Sequence, residues 1–403
     1  MPTIGKLRLE SPLVIAPMAG MTDTAFRRLV KREGGCGLVV TEMVSSEGLV
    51  RGIDRTLEFA EYTEEERPVS IQIFGGDPAK MAEAAQIVEG MGADIVDVNM
   101  GCPVPKIAKH NAGCSLMREP EHAASVISAM TEAVNIPVTV KMRAGWNDRD
   151  RNAPTVAKMM QDAGASAIAV HGRTAEQSYS GQADWDLVAQ MAHELTIPVL
   201  GSGDCLEPRQ ILERLATGVA GVLVGRGVLR NPWILAQASD LIAGRSPREV
   251  TLEDRGRFLL EYIELLQTER IREPEGFRHV APAAVAPRGA VVAPVFRPVE
   301  SGVAPVFRPA ASAVAPVFRP AVSVVAPVFR PVDKPAPAFR PANTTRSHDR
   351  WIINKIRALG SWYTKGLDNG SHLRTSINSC DSLPALRDLI ATFFEVGLLV
   401  PSE

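Results

Sequence analysis

At 403 residues the chain exceeds one ordinary domain, yet a single α/β barrel absorbs about 250 residues, so one large domain plus something smaller is expected. A formal net charge of -2 gives no global signature of a nucleic-acid binder, and any basic surface must be local. The cysteines, Cys36, Cys102, Cys114, Cys205 and Cys380, lack the paired short spacings of a zinc site or disulfide framework, which points to a reducing compartment and no metal. No stretch approaches the roughly 20 apolar residues of a membrane span, so a soluble, cytoplasmic protein is expected.

Short β-branched runs recur at Leu13 to Ala16, Gly37 to Thr41, Val69 to Ile73, Asp94 to Val98, Pro137 to Met142, Ala167 to His171, Ile197 to Gly201 and Gly221 to Gly225. Between them lie helix-length segments such as Pro78 to Gly90, Pro120 to Val134, Ala153 to Gly164 and Pro208 to Thr217, several with Pro near the first turn and Gly at the end. Continuous apolar strands alternating with helices imply a parallel sheet covered on its outer face. Such units close most economically into a (β/α)8 TIM barrel.

Chemistry in such a barrel sits at the C-terminal ends of the strands. Those ends read A-P-M-A-G, T-E-M, I-Q-I-F-G-G, V-N-M-G-C-P, V-K-M-R-A-G, V-H-G-R-T, G-S-G-D and V-G-R-G. Any one of Asn99, Lys141 or His171 is as readily a satisfied rim residue as a functional one; a packed barrel does not need the whole set at one edge. The last two ends suit a phosphorylated cofactor, with Gly203, Gly225 and Gly227 admitting close backbone approach and Arg226 adding a charge-assisted contact. A flavin would also need a cation near the pyrimidine edge of its ring, for which Lys141, His171 and Gln72 are candidates. A Schiff-base role for Lys141 is the rival.

Cys102 follows the fourth strand in D-V-N-M-G-C-P, with Pro103 and Pro105 favouring a rigid exposed loop. The other cysteines read as inert packing residues. A thiol of ordinary pKa, about 8.5, is largely protonated at neutral pH and serves as an acid as readily as a nucleophile.

These motifs resemble the tRNA-dihydrouridine synthases, most closely their bacterial B-type branch. The matching stretches are I-A-P-M-A-G-M-T-D-T-A-F-R-R from Ile15, Q-I-F-G from Gln72, D-V-N-M-G-C-P-V-P-K-I from Asp97, G-C-S-L-M from Gly113, V-K-M-R-A-G-W from Val140, H-G-R-T-A-E-Q-S-Y-S-G-Q-A-D-W from His171 and V-G-R-G from Val224. The resemblance implies an FMN barrel followed by a small helical domain that grips tRNA, with NADPH or NADH as reductant. It assigns FMN to Pro17, Met18, Ala19, Gln72, Lys141, His171, Ser202, Gly203, Asp204, Gly225 and Arg226. Asn99 would face the uracil and Cys102 would be the catalytic acid. The family's usual N-G-D is here S-G-D, with Ser202 in the asparagine position. A small-molecule flavin oxidoreductase of the dihydroorotate dehydrogenase type and a non-catalytic tRNA-binding factor are the alternatives.

The C-terminal third begins with an amphipathic segment, Thr251 to Ile271, whose Phe258, Leu259, Tyr262, Ile263, Leu265 and Leu266 recur at helical spacing. From Arg346 to Arg374 cations outnumber acids, and Arg350, Lys355, Arg357 and Lys365 are candidate phosphate contacts to tRNA. Trp351, Trp362 and Tyr363 read better as a small core than as base-stacking groups. Between these helices A-P-V-F-R-P recurs from Ala293, Ala304, Ala315 and Ala326, with a decayed copy at Ala336. Proline at both ends of so short a repeat forbids helix or central strand. The expected organisation is a barrel over 1–245, the start of a helical tRNA-binding domain over 246–276, a disordered Pro-rich insertion over 277–345 and the rest of the helical domain over 346–403, as a monomer without membrane attachment.

Overall fold

A computed structural model describes residues 1–108, 111–268 and 345–395. The repeat insertion expected over 277–345 falls, but for its last residue, outside the described residues.

The eight expected strands are all present: β1 (Leu13–Ile15), β2 (Leu38–Val40), β3 (Val69–Phe74), β4 (Ile95–Met100), β5 (Val138–Arg143), β6 (Ala167–His171), β7 (Val199–Ser202) and β8 (Gly221–Val224). Each pairs in parallel with its successor, β8 returns to β1, and β2 meets β3 with Val39 opposite Val69. The sheet therefore closes into a (β/α)8 TIM barrel. A two-stranded ribbon, Thr3–Ile4 with Leu7–Arg8, lies ahead of the first barrel strand, and its Ile4 joins the inner core.

Alternation along each strand sorts side chains between two cores, because successive residues point to opposite faces of a sheet. Val14 packs inside the barrel while its neighbours Leu13 and Ile15 pack outside, and Leu38 and Val40 bracket an outward Val39. The outer core is covered by α1 (Thr24–Glu33), α2 (Pro78–Gly90), α3 (Pro120–Ala133), α4 (Ala153–Asp162), α5 (Trp185–Glu194) and α6 (Pro208–Leu215). α2 starts and stops where the sequence places it: Pro78 opens its first turn and the Asp77 carboxylate accepts the Lys80 amide at 3.0 Å.

Beyond the barrel come α7 (Ile234–Ile242), α8 (Leu252–Thr268), α9 (Thr345–Tyr363), α10 (Gly370–Ser379) and α11 (Leu383–Phe393). Barrel and helices belong to one compact unit. The apolar stripe of α8 docks on α1: the Phe26 ring lies 6.0 Å from both Phe258 and Tyr262, and Phe258 stacks on Tyr363 at 5.9 Å. All four rings are buried, as is Trp233, 5.5 Å from Phe258. Aromatic pairs of this kind add about 0.5–1.5 kcal/mol each beyond their area burial, enough to fix the helical layer to the barrel wall. No helix among the described residues is long and apolar enough to cross a membrane.

Candidate active site

On β3 to β6 the inward positions turn polar toward the C-terminal rim, and register brings them side by side. Gln72 lies opposite Asp97, Asn99 opposite Lys141, and Arg143 opposite His171. A hydrogen-bonded chain follows. Thr139 Oγ1 donates to Asp97 Oδ1 at 2.6 Å, and Gln72 Nε2 donates to Asp97 Oδ2 at 2.7 Å. Asn99 Nδ2 donates to Gln72 Oε1 at 2.8 Å, and Asn99 Oδ1 accepts the amides of Cys102 at 2.9 Å and Gly101 at 3.2 Å.

Cys102, partly exposed, thus sits on a loop anchored from the barrel interior. The same loop is held from below, where Cys114 donates its amide to the Cys102 carbonyl at 3.1 Å. Gly113 makes that approach possible: its φ is +62°, and a Cβ there would come within 2.6 Å of the Cys102 carbonyl oxygen. On the far side, Arg143 Nε donates to the Gly101 carbonyl at 2.7 Å while its Nη1 reaches the carbonyls of Thr174 and Ser178 at 2.9 and 3.0 Å. One buried guanidinium therefore ties the Cys102 loop to the loop after β6.

Lys141 lies partly accessible at the mouth but walled by protein. Desolvation, reinforced by Arg143 and offset by Asp97, pushes its ammonium down to about 8. Among the described residues that ammonium has no hydrogen-bond partner, and a small cavity beneath it, walled mostly by apolar inner-core side chains such as Val14, Leu38 and Leu200, also meets Ser70, Asp97, Thr139 and Lys141. Ser70 Oγ, also buried there, is likewise unpartnered. His171 is pushed down to about 2 by burial and then by the cations of Lys141, Arg143, Arg173 and Arg226, so its imidazole stays neutral at physiological pH.

Ser202 ends β7 and Gly203 follows it, and Gly225 and Arg226 follow β8 beside them. Gly203 has φ +123°, and a Cβ there would lie 2.5 Å from the Ala183 side chain and 3.1 Å from the His171 ring. Asp204 accepts from buried Arg173 through both oxygens at 2.7 and 2.8 Å, from the Ala183 amide at 2.7 Å and from Arg226 Nη2 at 3.2 Å. Burial raises its carboxyl, but these donors outweigh it and hold the group below the ordinary carboxylate range. Asp204 thereby aims Arg226, whose guanidinium lies 4.8 Å from the exposed Tyr179 ring. Pro17, Met18 and Ala19 leave β1 as a loop in which Thr22 Oγ1 accepts the Met18 amide at 3.0 Å.

The candidate cations of the helical part divide. Arg350 and Lys365 are exposed, with Lys365 Nζ 4.1 Å from the Trp362 ring. Lys355 and Arg357 are engaged internally: Lys355 Nζ lies 2.9 Å from Asp23 Oδ2, and Arg357 Nη2 donates to the Cys380 carbonyl at 2.6 Å. The core expected of the aromatics holds for Tyr363, which is buried, while Trp351 is exposed.

Asp97, Thr139, Arg143 and Arg173 were not singled out from the sequence. All four stand within the motif-bearing strands or next to them, and the period-two alternation that turns Asn99 and Lys141 inward turns Asp97, Thr139 and Arg143 inward too. That signal was legible. No group of His, Cys, Asp and Glu suited to holding a metal occurs among the described residues.

A closed (β/α)8 barrel with a thiol loop, a desolvated lysine and a neutral histidine at its C-terminal rim is the architecture of a barrel enzyme. The family model for dihydrouridine synthase matches residues 14–290. A probable tRNA-dihydrouridine synthase of Rickettsia conorii is 44% identical over 236 residues, covering 58% of this chain and 71% of that one. Its counterpart in Rhodobacter capsulatus is 41% identical over 268 residues, 66% and 82% of the two chains. The tRNA-dihydrouridine synthase B of Xanthomonas axonopodis is 41% identical over 241 residues, 60% and 72%. The chain belongs to the dihydrouridine synthase family.

Proposed function

We propose that this chain reduces a uridine in the D-loop of tRNA to dihydrouridine, with FMN as cofactor, NADPH or NADH as reductant and Cys102 as proton donor, in the cytoplasm. The observation that carries the reading is the convergence of the anchored Cys102 loop with Lys141 and His171 at one mouth, in a chain of this family.

The residues fit the cofactor. An ammonium without a hydrogen-bond partner is what the electron-rich edge of an isoalloxazine ring requires, and Lys141 supplies it. Gln72 is held by Asp97 and Asn99, which fixes how its amide faces the mouth. Ser202, Gly203, Gly225 and Arg226 would take the phosphate, with Asp204 and Arg173 orienting Arg226 from behind. Pro17, Met18 and Ala19 would cover the ring. When bound, the reduced flavin supplies the hydride that adds to C6 of the uracil.

The chain's own residues complete the reaction. Hydride addition at C6 of a C5=C6 bond conjugated to a carbonyl leaves enolate charge, which a proton delivered to C5 quenches. Cys102 is the acid, and Asn99 together with Arg143 fixes the backbone that presents it. Neutral His171 donates or accepts hydrogen bonds without adding charge. A base buried in duplex stacking is out of reach of such a mouth, so the target must be turned out, which a loop nucleotide allows most easily. Exposed Arg350 and Lys365 would contact phosphates and orient the RNA.

The test is direct. Purified chain should be yellow and, with NADPH, should form dihydrouridine in tRNA that lacks it; Cys102→Ala should keep the colour and lose turnover. Full activity in that variant would remove the acid role, and a colourless protein would remove the flavin.

A further inference from the structure

The loop that leaves β1 is gripped by a residue from the opposite end of the chain. Lys355, on α9, donates to the Gly20 carbonyl at 3.2 Å, and its ammonium stands 2.9 Å from Asp23 Oδ2 and 3.8 Å from Glu42 Oε1. Glu42 Oε2 in turn accepts the Gly20 amide at 2.5 Å. Both polar groups of Gly20 are therefore held, one by a carboxylate of the barrel and the other by an ammonium of the helical part. Gly20 itself is in the left-handed region, φ +79°, where a chain without such restraints readily moves.

The surroundings make the grip strong. Glu42 is buried, and the Lys355 side chain is only 16% exposed, so the ion pairs are poorly screened by solvent. Asp23 also accepts the Tyr262 hydroxyl at 2.7 Å and the Phe26 amide at 3.0 Å, which fixes the carboxylate that fixes the lysine. Without Lys355, Asp23 and Glu42 would repel each other across the loop, and the nearby Arg27 is already paired with Glu66.

We propose that Lys355 is a positioning residue for the cofactor site: it clamps the Pro17–Thr22 loop against the barrel mouth, so that the C-terminal helices complete the cradle that holds the flavin ring. This deepens the flavin reading and rests on it. A surface lysine spent on tRNA phosphate would behave differently, because a phosphate contact changes the salt dependence of RNA binding and leaves the cofactor alone.

The experiment compares full-length wild type with Lys355→Ala, Lys355→Arg and Glu42→Gln in three measurements. These are FMN dissociation, followed by recovery of free-flavin fluorescence; amide hydrogen exchange in the segment from Met18 to Thr22; and tRNA affinity at several salt concentrations. Expected for Lys355→Ala are FMN affinity weaker by about ten-fold, the loss of one charge-assisted contact, and faster exchange in that segment. The slope of log affinity against log salt should stay unchanged, and Lys355→Arg should restore most of the affinity. Unchanged FMN affinity and exchange, with a salt slope reduced by about one, would overturn the proposal in favour of a phosphate contact. If Lys355→Ala does not fold, Glu42→Gln, which keeps an acceptor for Gly20 but removes the charge facing Lys355, must loosen the same segment or the clamp is wrong. If wild type retains no flavin, the flavin reading fails while exchange in the loop still decides the clamp.

Discussion

Asn99 holds Cys102 by its backbone: the Asn99 Oδ1 oxygen accepts the Cys102 amide at 2.9 Å, and the other end of the same side chain donates to Gln72. The residue expected to face the substrate is thus also the strut of the Cys102 loop. Nothing about Asn99 in isolation reveals this, since the contact depends on the chain turning sharply after β4.

Replacing Asn99 by Ala should therefore act on the loop. It frees two loop amides and leaves Gln72 Oε1 without its donor, so dihydrouridine formation should fall by about 100-fold, the scale on which a small misplacement of a reacting group is felt. Flavin content should change little. Single-turnover reduction of tRNA by pre-reduced enzyme isolates this step, and an unchanged rate there would assign Asn99 no part in positioning Cys102.

Lys141 gives the pH dependence a direction. With its ammonium pushed down to about 8, the charge is present below that pH and is lost as pH rises through it. Negative charge on a bound flavin favours the protonated form, which moves the limb upward rather than downward. The rate of flavin reduction by NADPH should accordingly fall on the alkaline side, at or above pH ~8. Lys141→Met should be slow at every pH without that limb. A variant profile parallel to wild type would assign the limb to another group.

Arg27 tests the support beneath the β1 loop. Its guanidinium is 1% exposed and pairs with the fully buried Glu66 at 2.6 Å, while Nη1 donates to the Thr22 carbonyl at 2.7 Å. Removing one member of such a pair strands the other, so Arg27→Ala should cost about 3–5 kcal/mol in chemical denaturation. A loss under 1 kcal/mol would show that Glu66 finds another partner or a proton without difficulty.

The basic helices make separable forecasts for RNA. Arg350→Ala and Lys365→Ala should each lower the slope of log affinity against log salt by about one, because each removes an exposed cation. Arg357→Ala should leave that slope intact and instead reduce stability by about 1–3 kcal/mol, since it removes the donor to the part-buried Cys380 carbonyl. Equal slopes for all three variants and wild type would place tRNA elsewhere on the protein.

The sequence by itself determined the barrel, its strand ends and the identity of the chemical groups at its mouth. Those features are local or periodic: strand alternation turns Gln72, Asn99 and Lys141 inward as a consequence of backbone geometry, and Pro78 and Gly113 act through φ angles that neighbours do not alter. What only the tertiary structure decided is how each group is spent. Lys355 reads as one more cation in a basic stretch, yet its ammonium lies among Asp23, Glu42 and Gly20, more than 300 residues away in the chain. Asp204 reads as a cofactor ligand, and the fold adds that its carboxylate takes the guanidinium groups of Arg173 and Arg226. The partner of a charged side chain is set by what packing brings within a few ångströms and shields from water, and neither spacing nor composition carries that information.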